Sequence, residues 1–331
     1  MKKRNILNIA IIIALFAIGV YRYRNQTFTD SKTRILMGTF VEITLTSKQN
    51  DVSDIVDQTF DLMEKYDKKF SYYNREGELG LMNYGNENEF VIDDEYHEIL
   101  SIAKKYHQLT DGMYDVTIGV LSDLWGGGRT YPPPADSIAA ALELTGFSKL
   151  SLSKTTLSKP QGMRLNLGSI AKGYIVDKCI EYAIESGAEA GIINAGGDIR
   201  VFGEHKKPLK IGVQHPRSPS EMIEVLELDT GSVVTSGDYE RYFEYEGKKY
   251  HHIISPKDGY PVDYIISATI LAPDATLADV ISTSVFLLPP EKGIELIKSV
   301  NNVDGILFYY IDDEIVSLRT EGIKKYIRNG E

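Results

Sequence analysis

The chain has a single cysteine, Cys179, among its 331 residues. No internal disulfide can form, and a structural zinc site built on two or more cysteines is excluded. Histidine is also scarce, with six in all, and only His251 and His252 are neighbours. One tryptophan stands against 21 tyrosines. Positive charge is in deficit: 36 Lys and Arg face 47 Asp and Glu, for a net charge of −11. That balance argues against a nucleic-acid partner, which wants a basic face. No repeat of fixed period is present, and the composition, 43% hydrophobic and 25% charged, is that of a globular chain. Collagen, long coiled coil, disordered tail and polytopic membrane protein are all excluded. The length suits one large domain or two modest ones.

The first 34 residues differ from the rest. Lys2, Lys3 and Arg4 precede an apolar run from Ile6 to Val20, and Arg22 and Arg24 follow it. A basic start and an apolar run of this kind read as a signal sequence or signal anchor. No A-x-A cleavage site follows the run, and no cysteine is there to carry a lipid. The expectation is an uncleaved N-terminal membrane anchor over residues 1–30, followed by a catalytic domain over 31–331 outside the cytoplasm. Residues 1–34 hold seven Lys/Arg and one acid, so the remainder has 29 basic and 46 acidic residues, net −17. Acidity of that size repels polyanions and keeps an exported domain soluble.

Periodicity outlines the body. Val41, Ile43 and Leu45 alternate with polar residues as in a half-buried strand. Helical spacing runs over 52–69. Asp93 or Asp94 can cap a helix reaching about Leu109, with Gly112 after its end. Residues 126–134 read as loop, and 137–146 as a short helix. Short strands are expected within 149–167. A helix over 171–186 should end at Gly187. Strands are expected at 190–194, 199–203, 209–215 and 222–235. A hairpin over 239–254 should turn at Glu246-Gly247. A strand at 264–272 precedes a helix from Thr276 to Leu288, stopped by Pro289-Pro290. A helix at 291–301 and strands at 305–310 and 313–318 complete the chain. This irregular interleaving predicts an α+β fold of mixed sheets flanked by helices.

Four segments carry possible chemistry. Asp279 and Thr283 lie four apart on a predicted helix, hence on one face. A carboxylate and a hydroxyl are hard oxygen ligands that suit Mg2+, although the same pair also suits a surface or capping contact. In L-N-L-G-S-I-A-K-G-Y (165–174) a strand turns at Gly168 into a helix with Lys172 in its first turn. That is either an anion site at a helix N-terminus or an ordinary strand-to-helix turn. A Walker A loop is absent. Gly196-Gly197 in I-N-A-G-G-D-I permits close backbone approach to a ligand, or a plain tight turn. His251 and His252 in K-Y-H-H-I-I-S-P-K-D-G-Y-P should point to opposite faces of a strand, so at most one faces a cleft. Cys179 falls on an apolar helix face and reads as core.

Alone these signals are weak, but eight segments in order resemble one family. They are M-G-T-F-V-E-I-T (37–44), F-S-Y-Y-N-R-E-G-E-L (70–79), D-G-M-Y-D-V-T-I-G-V-L (111–121), L-G-S-I-A-K-G-Y (167–174), N-A-G-G-D-I-R (194–200), T-S-G-D-Y-E-R-Y-F (235–243), H-I-I-S-P-K-D-G-Y-P-V (252–262) and L-A-D-V-I-S-T-S-V-F-L-L (277–288). From about Met37 to Leu288 the chain resembles the FAD:protein FMN transferases, a flavin transferase family also known as thiamine-biosynthesis lipoproteins. Two departures stand out. The lipid-bearing cysteine of many members is missing, and Ser169 and Asn166 replace a small residue and an acid common in the family.

The resemblance implies a flavin transferase-like fold and an Mg2+-dependent reaction on FAD as substrate. FMN passes to a Thr or Ser hydroxyl of an exported or membrane redox protein, and AMP leaves. Asp279, Thr283 and the Ser169 carbonyl would hold Mg2+. Lys172 would neutralise a phosphate oxygen, and His252 would take the acceptor proton. Met37, Tyr73, Met113, Tyr114, Asp115, Asn166, Gly196 and Gly197 match positions around the FAD. Asp198 and Asp238 are the next candidates for the base. A FAD pyrophosphatase giving FMN and AMP is the alternative, and a non-catalytic flavin-binding protein a third.

Overall fold

The structure is a computed structural model that describes residues 8, 11–16, 27–49, 51–126 and 128–327. Most of the expected anchor lies outside the described residues. Among the described ones no helix is long and apolar enough to cross a membrane.

The sheet begins earlier than expected. Strand β1 (Phe28–Leu36) pairs with β2 (Thr39–Ser47) along its whole length, so the folded body starts at Phe28 rather than at residue 31. In β2, Val41, Ile43 and Leu45 are fully buried, as their alternation predicts. The apolar pattern of β1 is weak, and its inner side is held by charge instead. Lys32 and Arg34 reach Asp57 at 2.7 Å, and Arg34 also reaches Asp61 at 3.2 Å, on helix α1 (Ser53–Phe70).

Helix α2 (Glu78–Tyr84) and strand β3 (Glu89–Val91) lead to α3 (Asp94–Leu109), whose cap is Asp93, accepting from Tyr96 N at 3.0 Å. Short helices α4 (Gly119–Trp125) and α5 (Ala135–Glu143) and strands β4 (Ser151–Leu152) and β5 (Thr156–Ser158) follow. Helix α6 (Ala171–Glu185) ends as its sequence predicts. Gly187 takes φ 103°, and Ala188 N donates to Ala183 O at 2.9 Å, closing the last turn.

Next come β6 (Ala190–Ala195), β7 (Asp198–Gly203), β8 (Leu209–His215), β9 (Ser218–Leu228) and β10 (Gly231–Gly237). The expected strand 222–235 is thus two strands in different sheets, with Gly231 at φ 118° after the break. The hairpin β11 (Tyr242–Tyr245) and β12 (Lys248–His251) turns at Glu246-Gly247 as predicted. Strand β13 (Ser267–Ala272), helices α7 (Ala275–Phe286) and α8 (Pro290–Ser299), and strands β14 (Asp304–Ile311) and β15 (Glu314–Arg319) complete the order. Pro290 is the first residue of α8, where its fixed φ suits helix initiation.

The main sheet has the order β1-β2-β6-β7-β10-β13-β14-β15. The α+β class holds, but every neighbouring pair in this sheet is antiparallel rather than mixed. Tight turns join β1 to β2, β6 to β7 and β14 to β15, and such turns can only produce antiparallel neighbours. One face packs on α1, α3, α6, α7 and α8, whose core includes Phe60, Ile99, Val176 and Ile281. On the other face the β8–β9 hairpin covers Val201, Val233, Leu271 and Phe308. The turns β1–β2 and β6–β7, the end of β10 and the start of β13 all fall at one end of the sheet.

Candidate active site

The site is built where α6 crosses α7 at that end. The crossing is close because Gly173 has no side chain: a Cβ there would overlap the Ala275 carbonyl. Gly173 N donates to Asp279 Oδ2 at 2.9 Å. The start of α7 is pinned twice. Asp274 accepts from Leu277 N at 2.7 Å, and Asp177 of α6 accepts from Ala275 N at 2.9 Å and Thr276 N at 2.7 Å. Two orphan N–H groups of α7 thereby find partners on the neighbouring helix.

Asp279 is 5% exposed. Burial pushes its carboxyl up to about 7, the nearby Asp198 charge adds to the rise, and Lys172 and the Gly173 N–H oppose it. Lys172 Nζ lies 2.9 Å from Asp198 Oδ2. At that distance the buried carboxylate and the ammonium form a close ion pair. Burial raises Asp198 as well, against the pull of Lys172. Burial alone would lower Lys172, but Asp198, Asp279 and Glu240 together hold it well above its usual range. Lys172 therefore stays cationic at neutral pH. It can neutralise a phosphate oxygen but is a poor proton donor. Three carboxylates around one ammonium leave an excess of negative charge.

Tyr114 links this cluster to the helix entry. Its hydroxyl donates to the Ser169 carbonyl at 3.4 Å and accepts from Ser169 Oγ at 2.9 Å, and the Asp279 charge helps to raise its pKa. Burial is the larger cause of that rise. Thr283 Oγ1, one turn beyond Asp279, lies 3.4 Å from Ser236 Oγ on β10. Lys172 and Asp279 thus meet at the α6–α7 crossing, with Ser169 tied to them through Tyr114 and Thr283 one turn along α7. Among the described residues no three His, Cys, Asp or Glu side chains converge as a preformed metal site. A cation here would rely on one carboxylate with hydroxyl and carbonyl oxygens. That donor set fits Mg2+, which keeps positions open for water and phosphate.

The two histidines divide into one buried and one exposed, although only His251 belongs to β12 and His252 sits in the bend after it. His251 is buried, with Nε2 donating to Val262 O at 2.6 Å and Nδ1 accepting from Ile253 N at 3.2 Å. His252 is open to solvent. Its Nδ1 lies 3.3 Å from Arg241 O, which leaves Nε2 as a free acceptor when Nδ1 carries the proton. Protein packed around the part of the ring that solvent does not reach, then the charge of Arg241, lowers its pKa below the usual histidine range. At neutral pH it is an uncharged base.

The expected FAD-lining residues fall into two groups. Met37 (φ 52°) and Gly38 (φ 72°) form the β1–β2 turn, with Met37 N donating to Asp67 Oδ2 at 3.0 Å. The Gly196-Gly197 turn lies against it: Gly196 N donates to Phe40 O at 3.0 Å, and a Cβ on Gly196 would overlap Thr39 Oγ1. A Cβ on Gly197 would meet nothing within 4 Å, so that backbone is approachable. Met113 is half-buried against the main core. Tyr73 stands 78% exposed on the loop after α1, edge-on to the Tyr72 ring.

Two of the expected FAD-contacting side chains are engaged within the protein. Asp115 is buried and both its oxygens are occupied. Oδ1 accepts from Thr117 N and Thr117 Oγ1, at 2.8 and 2.6 Å, and Oδ2 from Phe147 N at 3.0 Å. It braces two loops through these bonds. Asn166 accepts from Gly168 N at 2.9 Å and donates to Ser122 at 3.0 Å, so it shapes the turn into α6. The reserve bases are also occupied: Lys172 holds Asp198, and Arg217 holds Asp238 through two 2.7 Å bonds. Glu240 and Arg241 escaped the residue-by-residue reading. Their only signal was the segment T-S-G-D-Y-E-R-Y-F.

The sequence model of the ApbE family matches residues 37–307. A FAD:protein FMN transferase of Klebsiella pneumoniae (strain 342) is 32% identical over 296 residues, covering 87% of this chain and 91% of that one. The ApbE protein of Thermotoga maritima superposes with a TM-score of 0.84 at 30% identity, over 91% of this chain and all of that one. The flavin transferase ApbE of Vibrio cholerae gives 0.82 at 25% identity, with the same coverage.

Proposed function

The chain belongs to the ApbE family, and we infer that it is a FAD:protein FMN transferase whose reaction is run by the α6–α7 crossing. The carrying observation is the pair of buried carboxylates, Asp198 and Asp279, beside Lys172 and hard oxygen donors. Such a site suits a diphosphate accompanied by a divalent cation. Asp279, Thr283 and the Ser169 carbonyl are the residues that would hold Mg2+. The bound ion would supply charge neutralisation on the diphosphate and assist the leaving phosphate. Lys172 neutralises a further phosphate oxygen. The approachable Gly197 backbone and the Met37 turn border the FAD.

The acceptor is a Thr or Ser hydroxyl of an exported protein. Its oxygen attacks the phosphorus that carries the flavin half, the bond to the bridging oxygen breaks, and AMP departs. His252 Nε2 receives the hydroxyl proton. Positioning and charge carry most of such a reaction. The test is mass spectrometry of a candidate acceptor after incubation with FAD and Mg2+. A covalent FMN adduct is expected. Free FMN and AMP without an adduct would mean a pyrophosphatase instead, and intact FAD would sink both.

The N-terminal segment bears on location. Residues 1–30 anchor the chain in the cell membrane, with the domain outside the cytoplasm. The basic-apolar-basic pattern supports this reading. Full-length protein should then sediment with membranes. A chain beginning at Asn25, which keeps all of β1, should be soluble and active. A natural N-terminus found near residue 25 would show cleavage and overturn the anchor.

A further inference from the structure

The β8–β9 hairpin lies outside the main sheet, yet its tip reaches the active-site loop. Pro216 and Arg217 form that tip, after two register shifts at Val213/Gln214 and Gln214/His215. The tip is held from within: Arg217 N donates to His215 Nδ1 at 3.1 Å, and Arg217 Nη1 to the Pro216 carbonyl at 2.9 Å. The guanidinium then spans outward. Nη1 and Nη2 each donate to one oxygen of Asp238, both at 2.7 Å, and Nε donates to Tyr310 Oη on β14 at 2.8 Å. Lys249 Nζ stands farther from Asp238, at 3.9 Å.

Asp238 sits between two parts of the site. Two residues before it, Ser236 touches Ser282 at 2.8 Å and Thr283 at 3.4 Å on α7. Three residues after it, the Arg241 carbonyl faces His252, receiving His252 N at 3.1 Å with Nδ1 at 3.3 Å. The Asp238 N–H donates to Ile266 O at 3.2 Å, a long bond. The side-chain fork is the stronger tie, because charge-assisted bidentate bonds fix both distance and orientation. Tyr310 in turn fixes the guanidinium to the rigid sheet.

We infer that Arg217 is a positioning residue for the transfer reaction: from the hairpin tip it clamps Asp238, and so sets where Arg241 presents its carbonyl to His252. This rests on the reading of His252 as the base. The clamp touches no reacting atom, so it governs turnover more than FAD affinity.

The test is a double-mutant cycle on the full chain, with FAD, Mg2+ and the acceptor identified by the mass assay. Arg217→Ala should lower kcat by roughly tenfold or more, since small misplacements of a reacting group are costly. The KM for FAD should move little. Arg217→Lys keeps the charge but loses the fork, and should remain impaired. In a His252→Ala background, adding Arg217→Ala should change kcat by no more than about twofold, because the two act as one unit. Thermal unfolding of each variant is measured alongside, with assays run below the transition. Three results would each overturn the clamp: wild-type kcat in Arg217→Lys, full additivity in the cycle, or a loss seen only in melting temperature. A His252→Ala parent with unchanged transfer would sink the base assignment itself, and it would do so in a different arm of the cycle.

Discussion

Asp279→Ala abolishes FMN transfer and weakens FAD binding. Asp279 is the one carboxylate of the expected Mg2+ donors, and a site with so few protein oxygens cannot hold the ion without it. Wild-type transfer by this variant in limiting Mg2+ would refute the assignment. Asp279→Asn separates function from folding. Its amide can fill the same space without the charge that burial and Asp198 disfavour. In metal-free protein the folded-state pKa of Asp279 is raised to about 7, so the folded chain holds a proton that the unfolded chain has released. Stability should therefore fall as pH rises from the ordinary carboxylate range through about 7. Asp198, raised chiefly by burial, acts in the same direction. Asp279→Asn should flatten this fall and melt higher than the parent in EDTA at neutral pH, while remaining inactive. A lower melting point there would contradict the charge argument.

His252→Ala should cost roughly 10²–10⁴ in transfer rate, the usual worth of a positioned base. FAD binding should be nearly kept, because the proposed base acts on the acceptor hydroxyl and not on the cofactor. His251→Ala behaves differently, and the structure changes what it is good for. On strand geometry alone His251 should tolerate the change. Buried between Val262 O and Ile253 N, it does not. Two main-chain groups would lose their partner, at a cost of about 1–3 kcal/mol each when left unpaired. The expected pattern is lower melting with transfer per folded molecule kept for His251→Ala, and the reverse for His252→Ala. Equal transfer by the two variants would leave His252 as a structural histidine.

Long, strongly periodic elements were legible. Helices α1, α3, α6 and α7 follow their apolar spacing, α3 starts at its Asp93 cap and α6 stops before Gly187, and the Asp279–Thr283 face follows from helical geometry. Strand β1 was not legible, because its inner face is secured by Lys32 and Arg34 on α1 carboxylates rather than by apolar burial. The break between β9 and β10 was hidden because the residues on both sides suit a strand, and only pairing shows that the chain changes sheets. In the site, composition could not separate a carboxylate that serves a ligand from one that serves the chain. Asp115 and Asp279 look alike in sequence, yet one is saturated by Thr117 and Phe147 and the other is left with a single backbone donor. Glu240 acts through space on Lys172, which no local spacing reveals.

The joint between α6 and α7 also has a consequence for hydrogen exchange. Three amides bridge the two helices: Gly173 to Asp279, and Ala275 and Thr276 to Asp177. Each exchanges with deuterium only when its bond opens. Asp177 takes no part in the ligand set, so protection of Ala275 and Thr276 records the docking of the helices alone. The Gly173 amide shares its acceptor with whatever cation Asp279 holds. In a Mg2+ titration its exchange rate should respond while the other two stay level, giving an occupancy gauge with its reference a few ångströms away.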